Sequence, residues 1–104
     1  MTNVDPFLSR LQERLQSRKD ADPTTSYVAG LHARGLDKIL EKVGEEAIET
    51  VIAAKNGDQA AIIHETADLW FHTLVMLTHL GLSYEQVLAE LARRFAVHAS
   101  SVDS

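Results

Sequence analysis

The chain has 104 residues, of which 45% are hydrophobic, a formal net charge of -5 and no cysteine. This length and apolar content suit one folded domain and exclude a largely disordered chain. Without thiols there can be no disulfide, thiolate metal site or cysteine nucleophile, and the acidic balance argues against a general nucleic-acid binder, which needs a basic face.

At the N-terminus, TNVDPF after Met1 has neither the basic nor the apolar stretch of a secretory signal. A helix is predicted over 6–19, with Asp5 as N-cap, Pro6 at its first position and Phe7, Leu8, Leu11 and Leu15 as its apolar stripe. A polar loop follows over 20–25, then a short helical turn over 26–33 that breaks at Arg34-Gly35. The second long helix runs from 36 or 37 to 55 and ends at Asn56-Gly57, two residues that tolerate the left-handed cap conformation. Asp58 caps the third, which reaches about 80 and stops at Gly81. The most apolar stretch, 67–82, is interrupted by Asp68, His72, Thr73, Thr78 and His79, so it is a poor membrane span. Ser83 caps the last helix, with Glu85 and Gln86 in its first turn, and the tail from 98 is expected to fray. No proline follows Pro23, and no Asn-Gly turn joins alternating apolar runs. The expectation is a single all-α, cytoplasmic domain over 1–104, with four to five helices around a central antiparallel αα-hairpin and no membrane or nucleic-acid partner.

At about 100° per residue, Leu36, Ile39, Leu40, Val43, Ala47, Val51 and Ala54 share one broad arc of the second long helix, its predicted core face. Glu46 falls at the edge of this arc and Glu49 roughly 60° further out, with Lys38, Lys42 and Glu45 in the same flanking zone. On the third helix Ala61, Glu65, His72, Val75 and His79 lie within about 60° of Asp68, so Glu65 and Asp68 share a face with apolar residues. The second half of that helix is apolar nearly all round, and a chain this short has few elements to enclose it. A homodimer or larger homo-oligomer that completes a helical bundle is therefore expected.

Two pairs of acids, each three residues apart and facing each other on antiparallel helices, would repel and raise their own pKa values. A hard divalent cation removes that repulsion. Mg²⁺, with Mn²⁺ as a possible substitute, takes oxygen ligands and pairs a few carboxylates with substrate phosphates. The chemistry that suits such a cluster is phosphoanhydride or phosphodiester cleavage by a water activated by the metal or by a spare glutamate. Nearby lysines would hold phosphate oxygens.

At these residues the sequence resembles the phosphoribosyl-ATP pyrophosphohydrolases of histidine biosynthesis, within the MazG-type all-α NTP pyrophosphohydrolase superfamily. The superfamily pattern E-x-x-E, spacer, E-x-x-D stands here as Glu46-x-x-Glu49 and Glu65-x-x-Asp68, with Glu45 doubling the first acid. Around it lie Ser26-Tyr27, GLDKILEKVGEEAIETVIAAKNGD (35–58) and ETADLWFHTLVML (65–77), and the resemblance covers about 26–95. It implies Mg²⁺-dependent hydrolysis of phosphoribosyl-ATP to phosphoribosyl-AMP and pyrophosphate, the second step of histidine synthesis, and the free-standing form of a domain that elsewhere is fused to a cyclohydrolase. Carried over residue by residue, it implies Glu46, Glu49, Glu65 and Asp68 as metal ligands, with Glu45, Glu46 and Glu49 as catalytic acids and Glu45 as a support or base. Lys38 and Lys42 are the candidates for substrate phosphates. Val28 departs from the pattern, since threonine is common after Ser-Tyr.

Other readings compete. A house-cleaning (d)NTP pyrophosphohydrolase would use the same acids, and a non-enzymatic helical dimerisation module would need none of them. On spacing alone the acids could form a solvated face paired with Lys38 and Lys42. His64-Glu65-x-x-Asp68 differs from the zinc motif H-E-x-x-H in its fifth residue, and zinc is set aside. His72 is read as an interface residue more readily than as a substrate contact, and Trp70 and Phe71 as core or interface. Arg93, Arg94 and Lys55 are read as solvated cations near helix C-termini. Gly44 is either a point of close approach or a tolerated surface glycine.

Overall fold

A computed structural model describes residues 6–95. Five α-helices occur in this order: α1 Pro6–Ser17, α2 Tyr27–Arg34, α3 Leu36–Asn56, α4 Gln59–His79 and α5 Tyr84–Arg94. The described residues contain no strand. A short 3₁₀ turn, Arg18–Asp20, finishes α1 where one longer helix was expected. The expected N-cap Asp5 and the tail from 98 lie outside the described residues.

The helix ends follow local chemistry. Ser26 Oγ accepts from the Ala29 amide, 3.1 Å away, and so starts α2 one residue later than predicted. Gly57, at φ 80°, takes the left-handed conformation that ends α3, and the Asp58 carboxylate caps α4 through the Ala61 amide. Ser83 and Gln86 form a reciprocal capping box at the start of α5.

Helices α3 and α4 make the central antiparallel hairpin. Its core lies at one end, where Ile39 and Val75, both 0% exposed, meet Leu15 of α1 and Leu31 of α2. Val28, Phe71 and Leu74 pack against this cluster. Three polar contacts close the same end. His32 Nδ1 lies 2.9 Å from His79 Nδ1, Tyr27 Oη lies 2.7 Å from His72 Nε2, and the Lys19 ammonium donates to the Thr78 carbonyl.

The predicted core face of α3 is correct only in part. Ile39 is buried and Val43 and Ala47 are half-buried, but Leu40, Val51 and Ala54 are exposed, whereas Ala53 is buried. The reason is cover. α1 and α2 shield only the end holding Ile39 and Val75, while the end near the turn has α3 and α4 covering each other on one side only. Periodicity reports which residues share a face but not which part of the face has a neighbour.

Ile39→Ala should lower the unfolding free energy by about 3 kcal/mol, through lost burial plus the cavity left behind. Ser83→Ala should lower it by about 1 kcal/mol, through loss of the cap. Urea denaturation followed by circular dichroism measures both.

Candidate active site

Glu46 sits where the core ends. It is 6% exposed, yet its Oε1 is buried without a hydrogen-bond partner. Its Oε2 makes a loose ion pair with Lys42 Nζ, at 3.9 Å. Across the hairpin, Glu65 Oε1 is likewise buried and unpartnered. Glu46, Glu49 and Glu65 each bring one carboxylate oxygen within 4.8 Å of the others. His64, Glu65 and Asp68 form a second such group, in which His64 Nε2 lies 3.3 Å from Asp68 Oδ2. The two groups share Glu65, so the four predicted ligands are contiguous.

This crowding shows in the electrostatics. Burial pushes the Glu46 carboxyl up to about 7, with hydrogen bonding to Glu49 and the negative charges of Glu49 and Asp68 adding to it. Lys42 works in the opposite direction but only partly. An unpartnered buried carboxylate oxygen is costly unless protonated or coordinated. Two such oxygens on facing helices, with Glu49 and Asp68 nearby, are oxygen donors of the kind a hard divalent cation takes. The residues therefore fit the expected metal.

Glu45 stands apart from both groups. It is exposed, and its Oε1 holds Lys42 Nζ at 3.2 Å. That hydrogen bond is the first cause of the raised Lys42 pKa. Lys38 pairs with the exposed Glu41 at 3.4 Å. Lys38 and Lys42 line one wall of an open cleft of about 510 Å³ together with Arg34, and Thr24, Thr25 and Tyr27 belong to its lining as well.

Residues 8–95 match the family described as phosphoribosyl-ATP pyrophosphohydrolase. The chain belongs to this family. It is accordingly an enzyme of the phosphoribosyl-ATP diphosphatase class, a hydrolase acting on a phosphoanhydride in histidine biosynthesis. The match begins in α1, well before the 26–95 covered by the motifs, so the first helix is part of the family domain. Val28, the departure from the usual Ser-Tyr-Thr, packs against the core and does not line the cleft.

Sequence reasoning assigned no role to Tyr27. Its ring stacks near Phe71, with centroids 6.4 Å apart, and its pKa is raised, first by desolvation of the hydroxyl and then by the negative charges of Glu46, Asp68 and Glu45, against the lowering effect of Lys42. The residue lines the cleft, and its hydroxyl is joined to α4. His72 holds it there. The ring's Nδ1 is 2.9 Å from the Asp68 carbonyl, which can only accept, so Nδ1 carries the hydrogen and Nε2 accepts from the Tyr27 hydroxyl. The contact of His72 is therefore within the chain. The sequence signal was available: His72 stands four residues from Asp68 on the same face.

Without metal, a folded-state carboxyl at about 7 binds a proton that the unfolded chain releases near its model value of 4.5. The stability contributed by that proton is complete below 4.5 and is lost as the pH rises through about 7. Metal-free protein should therefore be less stable at about pH 8 than at about pH 5 on account of this group, and Glu46→Gln should flatten the slope. Urea titrations in chelator at several pH values test this.

Proposed function

We propose that the chain hydrolyses phosphoribosyl-ATP to phosphoribosyl-AMP and pyrophosphate in a reaction that needs Mg²⁺, with Mn²⁺ as a substitute. Glu46, Glu49, Glu65 and Asp68 would hold the ion. The observation that carries this reading is the pair of buried, unpartnered oxygens, Glu46 Oε1 and Glu65 Oε1, on facing helices. When bound, the ion neutralises charge on the phosphate oxygens and favours attack by water.

The chain's own residues do the rest. Helices α3 and α4 fix the acids on rigid elements, so they need little reordering when substrate arrives. Lys42 is placed to move from Glu45, an exposed partner, to a phosphate oxygen. Glu45 holds that ammonium at 3.2 Å beside the acids. In the metal-free site the Glu46 carboxyl is raised to about 7 with Glu49 beside it, and an ion held there would displace its proton. Cleavage breaks the anhydride between the α- and β-phosphoryl groups, and water supplies the oxygen and protons that complete the two products.

Pyrophosphate release from phosphoribosyl-ATP should require Mg²⁺ and stop with a chelator. Glu49→Gln and Asp68→Asn should each lower kcat at least a hundredfold while helical content stays unchanged, since a missing ligand removes charge stabilisation worth about 3 kcal/mol or more. Full turnover in both variants would refute the ligand assignment. A panel of dNTPs assayed in parallel separates this activity from general nucleotide house-cleaning.

The same reading includes a homo-oligomer. On α3, Ile48, Val51 and Ile52 are 63%, 62% and 53% exposed, and on α4 Ile63 and Trp70 are 70% and 66% exposed. The molecule is 22 Å through its thinnest dimension, about two helices. Gly44 shares the stripe of Ile48 and Val51, and a Cβ there would meet nothing within 4 Å, leaving room for a helix of a second copy. Ile48→Glu combined with Ile52→Glu should shift sedimentation to the monomer; an unchanged sedimentation coefficient would refute this interface.

A further inference from the structure

The cleft beside the acids is lined by three cations, Arg34, Lys38 and Lys42. Arg34, at the end of α2, makes no ion pair among the described residues, and Lys38 and Lys42 follow at intervals of four residues. Only Lys42 is near the acids, at 3.9 Å from Glu46 Oε2. Lys38 is eight residues from Glu46 on the same helix, about 12 Å along its axis, and Arg34 lies beyond it at the end of α2. Among the described residues neither Arg34 nor Lys38 has an ion pair with these acids, so both can serve a second anion.

The family's substrate has a second phosphate. Phosphoribosyl-ATP carries its triphosphate arm and its phosphoribosyl arm on opposite edges of one purine, so its two anionic ends are far apart. We infer that Arg34 and Lys38 bind the phosphomonoester of the phosphoribosyl arm and so distinguish this substrate from ATP. The inference rests on the function proposed above and adds a specificity site to it.

The cleft suits that anion. Lys38 is held only by Glu41, an exposed pair that a phosphate can displace. Arg34 offers a planar fork to phosphate oxygens. In the loop before α2, whose Thr24 also lines the cleft, the Asp22 carboxylate accepts from the Thr24 amide at 2.9 Å and from its hydroxyl at 2.8 Å, which shapes the loop. Tyr27 connects the cleft to the acids, because its ring lines the cleft and its hydroxyl is tied to α4 through His72. A purine would lie beside this ring, between the two anionic ends.

The test compares parent chain, Arg34→Gln, Lys38→Gln and the double variant. Arg34 is exposed and unpaired and Lys38 has only a surface partner, so folding should survive, as circular dichroism would verify. For phosphoribosyl-ATP, KM should rise about tenfold for each cation removed, with kcat at saturation changing less than about threefold. Calorimetric titration in metal-free buffer gives a readout without turnover: the parent should bind phosphoribosyl-AMP at least about tenfold more tightly than AMP, and the double variant should lose that preference. If the variants weaken phosphoribosyl-AMP and AMP equally, the cations serve the shared phosphate and the inference is overturned. Unchanged KM and binding would overturn it too, with the proposed activity left intact. No turnover of phosphoribosyl-ATP by the parent with Mg²⁺ would overturn both.

Discussion

The structure depends on one unfavourable placement: a carboxylate, Glu46, set into the buried border of a helix hairpin with nothing to pair its inner oxygen. A domain of this size is stable by only a few kcal/mol, so it cannot easily carry an ionised group in such a place. The chain has two ways out. The carboxyl can take a proton, as its raised pKa indicates, or a cation can be supplied. The second option is chemistry, because the cation that relieves the acids also attracts phosphates. The strain is thus confined to the place where substrate binding would relieve it.

The neighbouring elements maintain that placement. The packed end around Ile39, Val75, Leu15 and Leu31 fixes the register of α3 against α4, and register decides which acids face each other. A shift of one residue would rotate Glu65 by about 100° away from Glu46. The turn between the helices must therefore be short and sharply ended. Gly57 in the left-handed conformation and Asp58 as the next cap meet this need within two residues.

Much of this was legible in the sequence because helices report their faces. The 3.6-residue repeat placed Glu46 at the core border and Glu49 outside it, and the structure has Glu46 buried and Glu49 exposed. Caps at Asp58 and Ser83 were readable for the same local reason, whereas Ser26, read as the first residue of a helical turn, is its cap. What was not legible came from contacts between distant segments. Val51 and Leu40 follow the periodic pattern of a core face, yet α1 and α2 do not extend over them. The Tyr27–His72 bond joins residues 45 positions apart, and no repeat within either helix announces it. Arg34, read only as part of a helix break, lines the cleft because Gly35 turns the chain so that α2 and α3 border the same space.

That division bears on how specificity can be built in so small a protein. The acid hairpin is indifferent to what lies beyond the phosphates, since charge neutralisation acts on any polyphosphate. Discrimination has to come from groups that touch the rest of the substrate. In this chain the side chains bordering the cleft outside the hairpin's acids come from α2, the loop before it and the first turns of α3. The two parts are joined by Tyr27 and His72, so the Asp68 backbone that orients the His72 ring also fixes the tyrosine at the cleft. Chemistry carried by the hairpin and selectivity carried by the segment before it is the arrangement that a thin, two-layer helical domain allows.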